Sequence, residues 1–166
     1  MEILTIGHSS RNLQDFVGIL IDNNIDVLID VRRFPSSKKF PQYMKEALKD
    51  KLNRIGIEYY HLIHLGGFRP EGYKKFSKSP EFDEALKILL KTIDHKRGAI
   101  MCSEKDFWRC HRRYIAQRLT QMGHKVVHIM DAKNTLVHDL KSKDIENKMS
   151  LKMFCDRDDI EDIETT

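Results

Sequence analysis

The sequence predicts an α/β domain: a single doubly wound, mostly parallel sheet of about five strands with helices on both faces. Two observations predict it. Short apolar runs such as DVLIDV (26–31) lack polar alternation, the mark of strands buried on both faces. Between them lie segments whose apolar residues recur at helical spacing. Repeated β-α units with short, right-handed connections build a parallel sheet covered by helices. A chain of 166 residues fits one such domain with a sizeable core.

The first strand, EILTIG (2–7), ends in Gly7, and Ser9 or Ser10 is placed to cap the next helix. That helix carries Leu13, Phe16, Val17, Leu20 and Ile21 on one face. After the second strand (26–31), a helix over 41–55 turns Met44, Leu48, Leu52 and Ile55 inward and stops at Gly56. IEYYHLIHL (57–65) is the third strand, followed to Lys78 by a loop rich in Gly, Arg and Lys. Ser79 and Pro80 open a third helix by cap and first-turn proline, with Phe82, Ala85, Leu86, Leu89, Leu90 and Ile93 as its stripe. GAIMCS (98–103) is the fourth strand, 109–122 the fourth helix and KVVHIM (125–130) the fifth strand. The α/β domain is thus assigned to residues 1–130. Residues 131–166 form a C-terminal extension, expected to hold a helix near 142–154 and an acidic, disordered end.

Charge narrows the function classes. Lys and Arg number 29 against 25 Asp and Glu, a net of +4. The final stretch CDRDDIEDIETT holds six acids against Arg157, so that end carries −5 and the remainder +9. A basic body suits a phosphate-bearing small molecule or nucleic acid as partner. No run approaches the length of a transmembrane helix, so no membrane partner is expected. MEILTIGHSS has neither a basic n-region nor a cleavage site, and Cys102, Cys110 and Cys155 are not spaced as a disulfide framework. A reduced, cytoplasmic setting is expected.

In a parallel sheet the carboxyl ends of the strands share one edge, and ligands bind there at the topological switch point. Here that edge collects Gly7-His8-Ser9-Ser10 after the first strand and Asp30, Arg32 and Arg33 after the second. His64, Gly66, Gly67 and Arg69 follow the third; Cys102, Ser103 and Glu104 follow the fourth. The fourth helix begins Arg109-Cys110-His111-Arg112-Arg113, and the fifth strand contains His128. The amino-terminal ends carry only turns: Asn23-Asn24, Gly56, Arg97-Gly98 and Gly123. A sequence that only had to fold has no reason for that asymmetry.

Taken together, TIGHS, DVRRFPSS, HLGG and CSE…CHR…IA resemble the domain of unknown function 488 family over roughly residues 3–130. The resemblance implies an α/β domain with a site built from these motifs. It marks Gly7, His8, Ser9, Asp30, Arg32, Gly66, Gly67, Cys102, Glu104, Cys110, His111 and Arg112 as signature positions, and it brings no activity with it.

Three chemistries fit the edge. The first is an anion cradle, in which Gly7, His8, Ser9, Arg32, Gly66, Gly67, Arg69, Arg109 and Arg112 hold phosphate against a helix start. The second is nucleophilic catalysis. Cys102 lies at a strand end and Cys110 at a helix start beside arginines, with His111 as acid or base and Glu104 or Asp30 to orient it. The Cys102-to-Arg109 loop is similar to the phosphate loop of tyrosine phosphatases and rhodaneses, but is one residue longer and lacks their glycines. The third is a zinc or iron site drawn from Cys102, Glu104, Cys110 and His111, completed by His8 or His64, although the spacing fits no standard zinc motif. The favoured reading is an anion site for phosphate, nucleotide or nucleic-acid backbone, used by an enzyme with a Cys/His/carboxylate cluster. A non-catalytic nucleotide or nucleic-acid binding module and a metal-dependent enzyme are the alternatives. Phe34, Phe107 and Trp108 are read as packing beside the loops, and His95, His124 and His138 as solvated.

Overall fold

The computed structural model describes residues 1–140, so the helix expected near 142–154 and the acidic end lie outside the described residues. Among these residues, β1 (Glu2–Gly7), β2 (Val27–Asp30), β3 (Glu58–His61), β4 (Gly98–Cys102), β5 (Lys125–Ile129) and β6 (Thr135–Val137) form one sheet. Its order is β3-β2-β4-β1-β5-β6. The first five strands are parallel, and β6 returns antiparallel to β5 with Val137 opposite Val127. The sheet therefore gains a sixth strand from the segment that the sequence assigned to the extension. Its residues 135–137 are exposed, which hides them from a search for apolar runs.

The helices are α1 (Leu13–Asp22), α2 (Lys45–Arg54), the one-turn α3 (Tyr73–Phe76), α4 (Pro80–Thr92) and α5 (Arg112–Gln121). On one face, Phe16, Val17 and Leu20 of α1 and Leu48 and Leu52 of α2 pack against Leu4, Ile6, Leu28, Ala99 and Met101. On the other, Phe82, Leu86 and Leu89 of α4 and Ile115, Ala116 and Leu119 of α5 cover Ile3, Val27, Ile29 and Ile100. Alternate strand residues thus enter opposite cores, which is why the runs read as continuously apolar.

Several local expectations are corrected. Asn12, not Ser9 or Ser10, caps α1, its side chain accepting from the Asp15 N–H at 2.8 Å. Ile21 (54% exposed), Met44 (42%) and Ile55 (39%) face outward, because each lies at the margin of its stripe or beyond the helix itself. Residues 41–43 form a separate 3-10 turn ahead of α2, and the fourth predicted helix begins at Arg112, after a 3-10 turn over Phe107–Arg109. Ser79 caps α4 as expected, accepting from the Phe82 N–H at 3.2 Å. No helix among the described residues is long and apolar enough to cross a membrane.

Candidate functional site

β1 and β4 lie side by side, yet their following helices cover opposite faces: α1 one, α5 the other. The two loops part above this pair, so the switch point falls between Gly7 and Cys102, which sit opposite each other. The ladder runs on into the loops, with His8 N–H donating to the Cys102 carbonyl and Ser9 N–H to that of Ser103, both at 2.9 Å. Gly7 is required at the crossing, because a Cβ there would lie 1.8 Å from the Glu104 carbonyl oxygen. Ser9 then turns away with a φ of 49°.

A cleft of about 480 Å³ opens at this point, lined by His8, Ser9, Ser10, Arg32, Phe34, Ser37, Lys39, Phe40, Ser103 and Glu104. The floor is rigid. Arg32 is 2% exposed, and its Nε and Nη2 donate to the wholly buried Asp30 carboxylate at 2.7–3.1 Å. Nη2 also donates to the Tyr43 carbonyl, while the Tyr59 hydroxyl donates to Asp30 Oδ2. Nη1 lies 3.3 Å from His8 Nε2. His8 stacks on Tyr43 at 4.2 Å, and its Nδ1 meets the Ser9 carbonyl at 2.8 Å. A carbonyl only accepts, so Nδ1 carries the proton and Nε2 is a lone-pair acceptor. Burial, with the Arg32 charge, pushes the His8 pKa down to about 4 against the pull of the Ser9 carbonyl. The imidazole is therefore neutral at pH 7.

Buried on the α4/α5 face of the sheet, rather than in the cleft lining, lie four residues that the sequence grouped as chemistry. Cys102, Cys110 and His111 have no exposure and Arg112 has 1%. The two sulfurs are 2.7 Å apart, and Cys110 Sγ is 3.7 Å from His111 Nδ1. His111 Nε2 donates to the Val31 carbonyl at 2.9 Å, which leaves Nδ1 unprotonated, and burial lowers its pKa to about 3. Arg112 donates to Thr5 Oγ1 and to the carbonyls of Glu104 and Lys105. These oxygen acceptors are all neutral, its backbone N–H reaches Cys110 Sγ at 3.4 Å, and its favourable charge partners are the two thiols. Burial pushes the Cys102 thiol up, but the Cys110 hydrogen bond and the Arg112 charge outweigh it and bring Cys102 below the ordinary thiol range. Cys110 is held well above that range by burial and by its neighbour's charge.

A second buried chain starts at Thr5, whose Oγ1 is 2.6 Å from His128 Nδ1. His128 Nε2 meets His138 Nδ1 at 2.9 Å, and His138 Nε2 meets Gln117 Oε1 at 2.9 Å. Phe107 stacks on His128 at 3.6 Å. The expectation that His138 is solvated is corrected: β6 carries it back over β5, where it is 5% exposed.

The remaining predicted ligand groups lie elsewhere. Gly66 packs against the β2 loop, where a Cβ would come 2.9 Å from Arg33 Cα. Gly67 is buried beside it. Arg69 folds back over the Phe76 ring at 3.7 Å, donates to the His64 carbonyl, and borders a different groove with His64 and Pro80. Arg109 ends its 3-10 turn outside the cleft lining. Of the predicted carboxylates, Glu104 reaches the cleft and Asp30 lies under it. Among the described residues no three His, Cys, Asp or Glu side chains are grouped to hold a metal ion. Thr5, Phe40, Tyr43 and Tyr59 carry no local signal, because the side chains they meet, His128, His8 and Asp30, are distant in sequence.

These features define a doubly wound α/β domain with a polar cleft at its switch point and a buried Cys/His/Arg cluster below. The family model described as domain of unknown function DUF488 matches residues 12–119, and the chain belongs to that family. No curated protein and no solved structure matches the chain.

Proposed function

We propose that the cleft binds a phosphate-bearing, nucleotide-like molecule and is the active site of an enzyme acting on it. The observation that carries this reading is the lining itself. A guanidinium fixed by Asp30 and a lysine share the cleft with four serines and an exposed aromatic ring, Phe34. Arginine and hydroxyl donors suit phosphate oxygens, and Phe34 with Phe40 offers a surface for a flat base. The position is where ligands bind in open α/β sheets. His8 favours an enzyme over a plain binder. Its Nε2 is unprotonated at pH 7 and shares the cleft with the Glu104 carboxylate, so proton transfer falls to these two groups rather than to the buried thiols.

Calorimetric titration with a nucleoside monophosphate, and separately with inorganic phosphate, tests the reading. Lys39 is exposed, so Lys39→Ala keeps the fold and removes about 1 kcal/mol of charge interaction, weakening the Kd about fivefold. His8→Gln keeps binding within a few fold while abolishing turnover. Mononucleotide binding that is absent, or indifferent to Lys39→Ala, refutes the proposal. Salt-dependent binding of single-stranded nucleic acid without turnover favours the non-catalytic module instead.

A further inference from the structure

We infer that Cys102 and Cys110 are a reversible modification site: a dithiol that hydrogen peroxide closes to a disulfide in the core at the end of β4. The inference stands apart from the identity of the cleft's ligand. Two buried thiols are commonly inert small apolar groups. This pair differs in three respects.

Arg112 is a buried guanidinium whose oxygen acceptors are all neutral, and a buried cation without a counter-charge is costly. A thiolate at Cys102 supplies the counter-charge. Next, Cys110 Sγ lies 2.7 Å from Cys102 Sγ, so a covalent bond of about 2.05 Å needs a shift of only about 0.65 Å. Last, His111 Nδ1, a lone-pair acceptor because Nε2 donates to Val31, lies 3.7 Å from Cys110 Sγ and orients that thiol beside Cys102. Neither sulfur is exposed, so the oxidant enters from the cleft side of the Cys102 loop. Ser103 and Glu104, the two residues after Cys102, line the cleft, and peroxide is little larger than water.

The Cys102 thiolate attacks one peroxide oxygen; the O–O bond breaks, an S–OH forms, and the departing hydroxide takes a solvent proton to become water. Cys110 then attacks the Cys102 sulfur while its proton passes to the departing hydroxyl of the S–OH. The S–S bond forms, the S–O bond breaks, and that hydroxyl leaves as a second water. The sulfurs lose two electrons and the peroxide gains them. Closure removes the thiolate from beside Arg112, which holds the Glu104 and Lys105 carbonyls of the cleft wall.

The test treats the full chain with hydrogen peroxide and maps peptides without reduction by mass spectrometry. The expected product is a Cys102–Cys110 linked species, with titratable thiols in denaturant falling from three to one and returning with dithiothreitol. In Cys110→Ser, dimedone should trap a sulfenic acid at Cys102, and Cys155→Ser should leave the linkage unchanged. Three titratable thiols after treatment, a link through Cys155, or sulfinic acid at Cys102 without linked peptide would each overturn the inference. The wild-type map decides the matter even if a variant fails to fold.

Discussion

Asp30→Asn tests the cleft floor most directly. Asp30 Oδ1 accepts from the Arg32 backbone N–H at 3.0 Å and from Nε at 2.9 Å; Oδ2 accepts from Nη2 at 2.7 Å and from the Tyr59 hydroxyl. The amide keeps the shape but turns one of these oxygens into a donor. Whichever oxygen it replaces, it faces at least two donors, and either way the buried Arg32 loses its counter-ion. Breaking a buried pair in this manner costs about 3–5 kcal/mol. Against a total of about 5–15 kcal/mol the variant stays folded in most of that range. At about 2–4 °C per kcal/mol for a chain of this size, Tm falls by about 6–20 °C. Urea unfolding followed by circular dichroism measures the loss, with m unchanged. Tyr59→Phe removes one charged hydrogen bond and costs about 1.5–3 kcal/mol. The double change Asp30→Leu/Arg32→Met removes both charges and recovers part of the loss. An Asp30→Asn cost below about 1 kcal/mol would refute the buried ion pair as the strut of the site.

Two further outcomes follow from the same geometry. His8 and His111 have folded pKa values of about 4 and about 3, below the unfolded 6.5, so the unfolded chain binds more protons on acidification. Their contribution is complete above pH 6.5 and is lost as pH falls toward those values, by about 1.4 kcal/mol per pH unit for each histidine. Urea midpoints at pH 7.5, 6.0 and 5.0 should drop steadily; a flat profile would mean the rings are hydrated. Gly7→Ala places a methyl against the Glu104 carbonyl, so the two loops must part, with a cost of about 1–3 kcal/mol and a collapse of ligand affinity. Unchanged thermal unfolding and binding would show that the loops do not cross as described.

The strand runs and α4 were legible because their signals are local. DVLIDV and GAIMCS are apolar on both faces, and Ser79-Pro80 writes its own cap. The edge that carries the cleft was legible too, since polar, chemistry-bearing residues gather after strands and not before them. What failed to transfer was depth. Cys102, Cys110, His111, Arg112 and Asp30 were read with the cleft residues because sequence places them at the same edge, yet they are buried one layer below it. Linear spacing carries no record of which side of a loop faces water. His138 shows the same limit: its burial depends on β6 returning along β5, a long-range pairing with no local periodicity.

The sequence by itself determined the α/β class, the gathering of chemistry-bearing residues at the sheet's carboxyl edge and the family's motifs, because period and polarity are written in near neighbours. Only the tertiary structure decided the rest. The strand order β3-β2-β4-β1-β5-β6 put β1 beside β4 and so located the switch point. That contact sorted one polar cluster into a cleft floor built on Asp30–Arg32 and a dry dithiol held by Arg112, since burial and charge pairing are set by partners distant in the chain.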